Sequence, residues 1–203
     1  MINPWIQAFR LKTLPLALSN TIMGSAVAVL DGGFRWSVFV LAALTTVFLQ
    51  IISNMANDYG DFVNGKDTAE RIGPKRMVQS GEISAKKMLR GIIILGIITA
   101  FTGLALILVG TAGIDITNIL IFAVLGIAAI VAAVKYTVGK NPYGYRGLGD
   151  IFVFVFFGLV GVMGTYFLHT KTLSWDILLP ASAIGLLSTA VLNMNNMRDY
   201  EAD

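Results

Sequence analysis

Residues 36–61 read WSVFVLAALTTVFLQIISNMANDYGD, and this stretch decides the fold. Between Arg35 and Asp58 there is no charged residue. A bilayer core about 30 Å thick is crossed by roughly 20 apolar residues in a helix, so the run predicts a membrane span. It then passes directly into Asn54-Met-Ala-Asn57-Asp58-Tyr59-Gly60-Asp61, a polar cluster at the span's end.

Outward from this helix, five more segments qualify, giving predicted spans at 13–30, 36–56, 88–110, 116–138, 150–169 and 176–194. The composition agrees: 56% of the 203 residues are hydrophobic, 13% are charged, and the mean hydropathy is +0.74. Soluble domains carry about 25% charged residues. The expected fold is all-α, a polytopic transmembrane bundle of six spans forming one domain over 1–203. The first dozen residues read as an interfacial segment before a retained helix, because no small-residue cleavage site follows the first apolar run.

Alternate threading of the spans separates the charges. Of the 15 basic residues, all except Arg35 and Lys171 fall on one side, with the amino terminus, the long connections 57–87 and 139–149, and the carboxyl end. Lys and Arg concentrate in cytoplasmic loops, so this side and both termini are expected in the cytoplasm. All but Asp31, Asp115 and Asp176 of the 12 acidic residues lie there too. The net charge of +3 therefore does not describe a simple basic face, and no nucleic acid or obligate protein partner is expected. Cysteine is absent and His169 is the one histidine, which excludes thiolate chemistry and a histidine metal cluster. His169, on the outer side, reads as an interfacial residue.

The sixth span runs into Asn195-Asn196-Met-Arg198-Asp199-Tyr200-Glu201-Ala-Asp203, so Asn-x-x-x-Asp occurs twice on the same side. Positions i, i+4 and i+7 or i+8 share a helix face, placing Asn54, Asp58 and Asp61 in one stripe and Asn195, Asp199 and Asp203 in another. Stacked carboxylates at a membrane boundary repel one another, and ionisable groups there tend to be functional. A divalent cation relieves the repulsion. Hard oxygen donors without His or Cys favour Mg²⁺, with Mn²⁺ the alternative, and Mg²⁺ commonly shares its shell with substrate phosphates. Asp58, Asp61, Asp199 and Asp203 are the predicted catalytic groups. Around them Asn57, Asp67, Arg71, Lys75 and Arg76 in the first loop, Tyr136, Lys140, Tyr145 and Arg146 in the second, and Arg198 are candidate substrate contacts. Guanidinium and ammonium groups are suited to a diphosphate.

These motifs make the chain resemble the UbiA superfamily of intramembrane aromatic prenyltransferases. The resemblance runs through Lys12-Thr-Leu-Pro15, residues 53–61, Arg71-Ile-Gly-Pro74, Tyr136-Thr-Val-Gly139, Pro142-Tyr-Gly-Tyr145 and Gly147-Leu-Gly-Asp150, and is strongest to the menaquinone-pathway branch. It implies that Mg²⁺ held by Asn54, Asp58, Asp61, Asn195, Asp199 and Asp203 binds a polyprenyl diphosphate. It also implies that dihydroxynaphthoate captures the allylic cation and loses CO₂ to give demethylmenaquinone. Tyr136 and Tyr145 would face the cation. The implied location is the inner (cytoplasmic) membrane, with the active site facing the cytoplasm and the lipid bilayer as surroundings. Such proteins usually have nine spans, so the resemblance also implies three further helices after Asp203.

Alternatives of the same class take 4-hydroxybenzoate, homogentisate or a haem precursor as acceptor. A CDP-alcohol phosphotransferase would need Asp-x-x-Asp-Gly-x-x-Ala-Arg, and here Phe62 follows Asp61. A membrane cation channel or transporter is the reading of another class, but its acids more typically lie near the bilayer midplane or in a ring.

Overall fold

The computed structural model describes residues 3–65 and 74–199. Asn3 caps a short helix, Pro4–Phe9, by accepting the Trp5 N–H at 2.9 Å, with Pro4 at the position where a missing N–H costs nothing. Six long helices follow: α1 Leu14–Leu30, α2 Trp36–Val63, α3 Ala85–Gly110, α4 Ile116–Lys135, α5 Gly149–Thr170 and α6 Leu178–Asp199. All six spans expected from the apolar runs are present, and each helix is long and apolar enough to cross a membrane. The chain is a multi-pass membrane protein.

The helix boundaries carry information. α2 continues to Val63, well past the predicted end at Ala56, so the whole Asn54–Asp61 cluster is helical. α3 begins earlier than its apolar run, at Ala85, because Ser84 caps it by accepting the Lys87 N–H. Asp115 caps α4 through the Thr117 N–H at 2.8 Å, a bond that holds its carboxyl below the usual range.

α2 packs along α3, α5 packs along α6, and α1 stands between the pairs, touching α2, α5 and α6. α4 leans on α2 and α3. The close α5–α6 contact depends on Gly158, where an added Cβ would lie 2.8 Å from the Cα of Gly185. Between α1 and α2, Thr21 Oγ1 and Thr46 Oγ1 share a hydrogen bond of 2.9 Å, satisfying polar groups inside the apolar layer. Large apolar residues such as Ile93, Phe101, Val124 and Ile127 remain exposed on the outside of α3 and α4, as lipid contact requires. An apolar cleft of about 290 Å³ opens between α4 and α5, lined by Ile121, Phe122, Leu159, Met163 and Phe167 among others.

The central part of α5, Phe154–Met163, is a π-helix with i→i+5 bonding. Phe156 from this segment stacks with Phe152, which in turn stacks on Tyr143 at 4.0 Å. Phe154 packs against Gly185.

At the face opposite the Asp motifs, the helix ends are tied together. The Arg35 guanidinium donates to the carbonyls of Val109 and Gly110 at the end of α3 and of Leu168 and His169 at the end of α5. These are among the carbonyls a helix terminus leaves without an internal partner. Burial lowers the Arg35 pKa, yet the group stays charged and suits the negative ends of two helix dipoles. Lys171 donates to Ala112 O, and the Tyr166 hydroxyl donates to Asp31 at 2.5 Å. His169 is not interfacial as the sequence suggests. It is 3% exposed, its Nδ1 accepts the Arg35 N–H at 3.0 Å, and its Nε2 meets Ser25 Oγ at 2.9 Å. With Nδ1 accepting, Nε2 carries the proton and donates to the serine oxygen.

Candidate active site at the end of the second span

The last three turns of α2 bring Asn54, Asp58 and Asp61 onto one face, as the i, i+4, i+7 spacing requires, and all three are buried. A solvated helix end would leave them exposed. Each side chain has its own partners. Asn54 donates to Phe9 O and Thr13 Oγ1, both at 2.9 Å, and accepts from Gln50 at 3.2 Å, tying the amino-terminal segment to the site. Asp58, 1% exposed, accepts the backbone N–H groups of Met77 and Val78 at 2.8 and 3.0 Å. Asp61 accepts the Tyr145 hydroxyl at 2.6 Å and forms an ion pair with Arg76.

The connection after α2 therefore folds back onto the motif. Met77, Val78 and Ile83 are buried among Ile51, Ile52, Met55 and Met88, which makes the turn an apolar plug. Within it Ile83 N–H donates to Met77 O and Ser80 N–H to Arg76 O. Arg76 is drawn inward with the plug and is 4% exposed, whereas Lys75 points outward and pairs with Glu82.

On the other flank, Thr137 is buried and donates to Ala56 O at 3.0 Å and to Asn57 Oδ1 at 3.1 Å. Asn64 donates to Thr137 O at 2.8 Å. Gly60 allows this approach: a Cβ there would sit 2.6 Å from that same carbonyl. The second loop is thereby laid across the helix end, bringing Tyr145 to Asp61. Burial and the Asp61 carboxylate both push the Tyr145 phenol above its ordinary range, so it stays a donor. Tyr136 lies edge-on to Tyr143, whose hydroxyl donates to Ala132 O at 2.8 Å in a half-buried bond.

The other candidates are placed less tightly. Lys140 and Arg146 are exposed on the second loop. Asn195 and Arg198 are exposed on the last turns of α6, and Asp199 is the final helical residue there. Nearby, Asn193 donates to Asp150 at 3.3 Å, tying α6 to the start of α5. Asp67, Arg71 and Asp203 lie outside the described residues. Among the described residues, no three His, Asp or Glu side chains gather closely enough to hold a metal.

The donor chemistry nevertheless suits Mg²⁺. Asp58 and Asp61 are hard oxygen donors, and a carboxylate has about four lone-pair directions, of which the two amide bonds use two at Asp58. At Asp61 the Arg76 guanidinium supplies the positive charge that balances the carboxylate. Met77, Val78 and Asn64 are not marked as site residues by the sequence, and Thr137 is marked only by its place in the Tyr136-Thr-Val-Gly139 motif; the signal for the first two is an apolar Met-Val pair and Ile83 inside an otherwise polar loop.

Residues 17–203 match the sequence profile of the UbiA prenyltransferase family. The chain is 52% identical over its full length to a 1,4-dihydroxy-2-naphthoate octaprenyltransferase of Haemophilus influenzae, covering 66% of that protein. It is 49% identical over 98% of its length to the protein of the same name in Escherichia coli, covering 64%. A Mycobacterium leprae protein of that name is 35% identical over 98% of the chain and 65% of its own length. The chain thus spans slightly under two thirds of the length of these relatives. No solved structure matches it.

Proposed function

The chain belongs to the UbiA prenyltransferase family, and from that premise we propose that the protein transfers a polyprenyl group from a polyprenyl diphosphate to 1,4-dihydroxy-2-naphthoate. The observation that carries the proposal is the buried Asp58–Asp61–Arg76 cluster, with the Tyr145 hydroxyl on Asp61, at the end of a helix prolonged beyond its apolar run. Its supporting context is the name shared by the similar proteins above.

Asn54, Asp58, Asp61, Asn195, Asp199 and Asp203 would hold Mg²⁺. When bound, the metal supplies positive charge that stabilises the departing diphosphate. Arg71, Lys75, Arg76, Lys140 and Arg146 give the same side of the membrane a set of cations for the diphosphate or for the acceptor carboxylate. The allylic C–O bond breaks with its electron pair leaving on diphosphate. A ring carbon of the naphthoate supplies the pair for the new C–C bond, and the carboxylate departs as CO₂, leaving its bonding pair in the ring. The product is demethylmenaquinone in its reduced, quinol form. The plug of Met77, Val78 and Ile83 keeps water from one side of the cluster, which protects a carbocation from hydrolysis. Tyr136 and Tyr145 offer aromatic faces to that cation. The bacterial relatives support an inner membrane, and the charge distribution supports a site on its cytoplasmic side.

The test is a prenylation assay on the complete protein in proteoliposomes, with dihydroxynaphthoate, a polyprenyl diphosphate and Mg²⁺. Prenylated quinol together with stoichiometric CO₂ is expected. Turnover of 4-hydroxybenzoate in place of the naphthoate would overturn the acceptor.

A further inference from the structure

Asp58 and Asp61 lie one turn apart on the same helix face but are held in different ways. Asp61 meets a cation and a phenol, both of which are side chains on loops. Asp58 meets two consecutive backbone amides, those of Met77 and Val78, and at 1% exposure it is closed to solvent. An acceptor that takes two successive N–H groups fixes the peptide between them in position and direction. Arg76 is the residue immediately before those amides, so fixing them fixes the start of its side chain. The apolar plug holds the same turn from the other side, through Met77, Val78 and Ile83. The turn is thus pinned by one carboxylate and three apolar side chains, and the guanidinium it carries reaches the other carboxylate.

We propose that Asp58, besides its place in the metal set, pins the Met77–Val78 turn through its two amide bonds and so presents Arg76 to Asp61, and that Arg76 is the built-in counter-ion of Asp61 while no substrate is bound. In the working state Asp61 exchanges the guanidinium for the metal, and Arg76 is left beside the incoming diphosphate. Tyr145 stays on Asp61 as a neutral donor in either state. The charge at Asp61 is matched throughout, so the buried carboxylate never stands alone. The exchange rests on the transferase reading, because it takes Asp61 as a metal ligand; the pinning of the turn does not.

The experiment uses the full-length protein in lipid nanodiscs with chelator and no substrate. Hydrogen exchange is read at single residues. In the wild type the Met77 and Val78 amides are expected to be protected. Asp58→Asn should accelerate both by about tenfold or more, while Asp61→Asn leaves them slow. Unchanged exchange in Asp58→Asn overturns the pinning. Should that variant fail to insert, the wild type decides, since exchange at Met77 and Val78 as fast as in an open turn overturns it equally.

The counter-ion is tested by Mn²⁺ binding, followed by electron paramagnetic resonance without diphosphate. Arg76→Gln should bind Mn²⁺ about tenfold more tightly, and Arg76→Lys, which keeps a cation, should return towards the wild type. Unchanged or weaker binding in Arg76→Gln overturns the exchange. Neither measurement involves prenyl transfer, so loss of the proposal and loss of the transferase reading are separate results.

Discussion

Replacement of Arg35 by Ala removes four hydrogen bonds from a charged donor to helix-end carbonyls, those of Val109, Gly110, Leu168 and His169. A bond to a charged group has a net worth of about 1.5 kcal/mol at the low end, so simple addition gives about 6 kcal/mol. Two effects reduce the sum. The four bonds share one side chain and are not additive, and water at the membrane surface reaches some of the released carbonyls. A loss of about 3 kcal/mol is expected, or roughly 6–12 °C in Tm for a protein of this size. Thermal unfolding in detergent, followed by intrinsic fluorescence, measures it. Arg35→Lys keeps the charge at the two helix termini but not the planar fork, and should recover less than half of the loss. A Tm shift below about 2 °C for Arg35→Ala, with insertion intact, would refute the assignment of Arg35 as the tie between α3 and α5. Full recovery by Lys would show that charge alone suffices.

Tyr145→Phe deletes the 2.6 Å bond to Asp61 and should lower kcat/KM about tenfold, equivalent to about 1.4 kcal/mol; an unchanged value removes Tyr145 from the site. The Tyr145 phenol is raised above its ordinary value, so the stability it contributes is fully present below about pH 10 and is lost only as pH climbs through the higher folded-state pKa. Spectrophotometric titration of the wild type against Tyr145→Phe should therefore place the difference between them, one tyrosine, above pH 10, and a difference that titrates at or below 10 would contradict the hold that burial and Asp61 have on the phenol. Gly60→Ala forces a Cβ to 2.6 Å from the Thr137 carbonyl, a backbone atom that cannot rotate away. A destabilisation of about 1–3 kcal/mol is expected, and a neutral Tm would mean that the second loop does not need this approach. Asp199→Ala should abolish turnover in the complete protein while membrane insertion persists, and EDTA should do the same to the wild type, with Mg²⁺ restoring it. Activity retained under either condition would defeat the proposed metal role.

The sequence makes the spans legible because 20-residue apolar runs have few other uses, and the stripe Asn54, Asp58, Asp61 because helical spacing is fixed. It does not reveal where α2 ends. Hydropathy counts Asn57 to Asp61 as a polar exit, whereas Asp58, Gly60 and Asp61 within it are buried by two loops whose approach depends on tertiary contact. The partners of Asp58 were illegible for a deeper reason: every residue except proline has a backbone N–H, so a carboxylate bound to amides leaves no mark in the residue types. Arg76 was legible as a site cation but not as a partner of Asp61, 15 residues away in sequence. His169 was misread because a single histidine at a span's end is usually wetted, and nothing local indicates that Ser25 and Arg35 close over it.

The π-helical middle of α5 sets the phase of everything beyond it. Each residue of an α-helix turns the chain by about 100°, so a wide turn holding one extra residue leaves the following side chains rotated by that angle from an uninterrupted α-helical course. Phe152 before the segment stacks towards Tyr143 at the end that carries the Asp58 motif, and His169 after it faces Ser25 at the other end. Both orientations belong to one register. Removing a single residue such as Val160 would let α5 regain ordinary α-helical bonding, and it would also swing His169 and the last carbonyls of the helix out of line with Ser25 and Arg35. A length change of one residue in the middle of the membrane would then be felt 9 positions later as a broken clasp, without any change to the residues that form it.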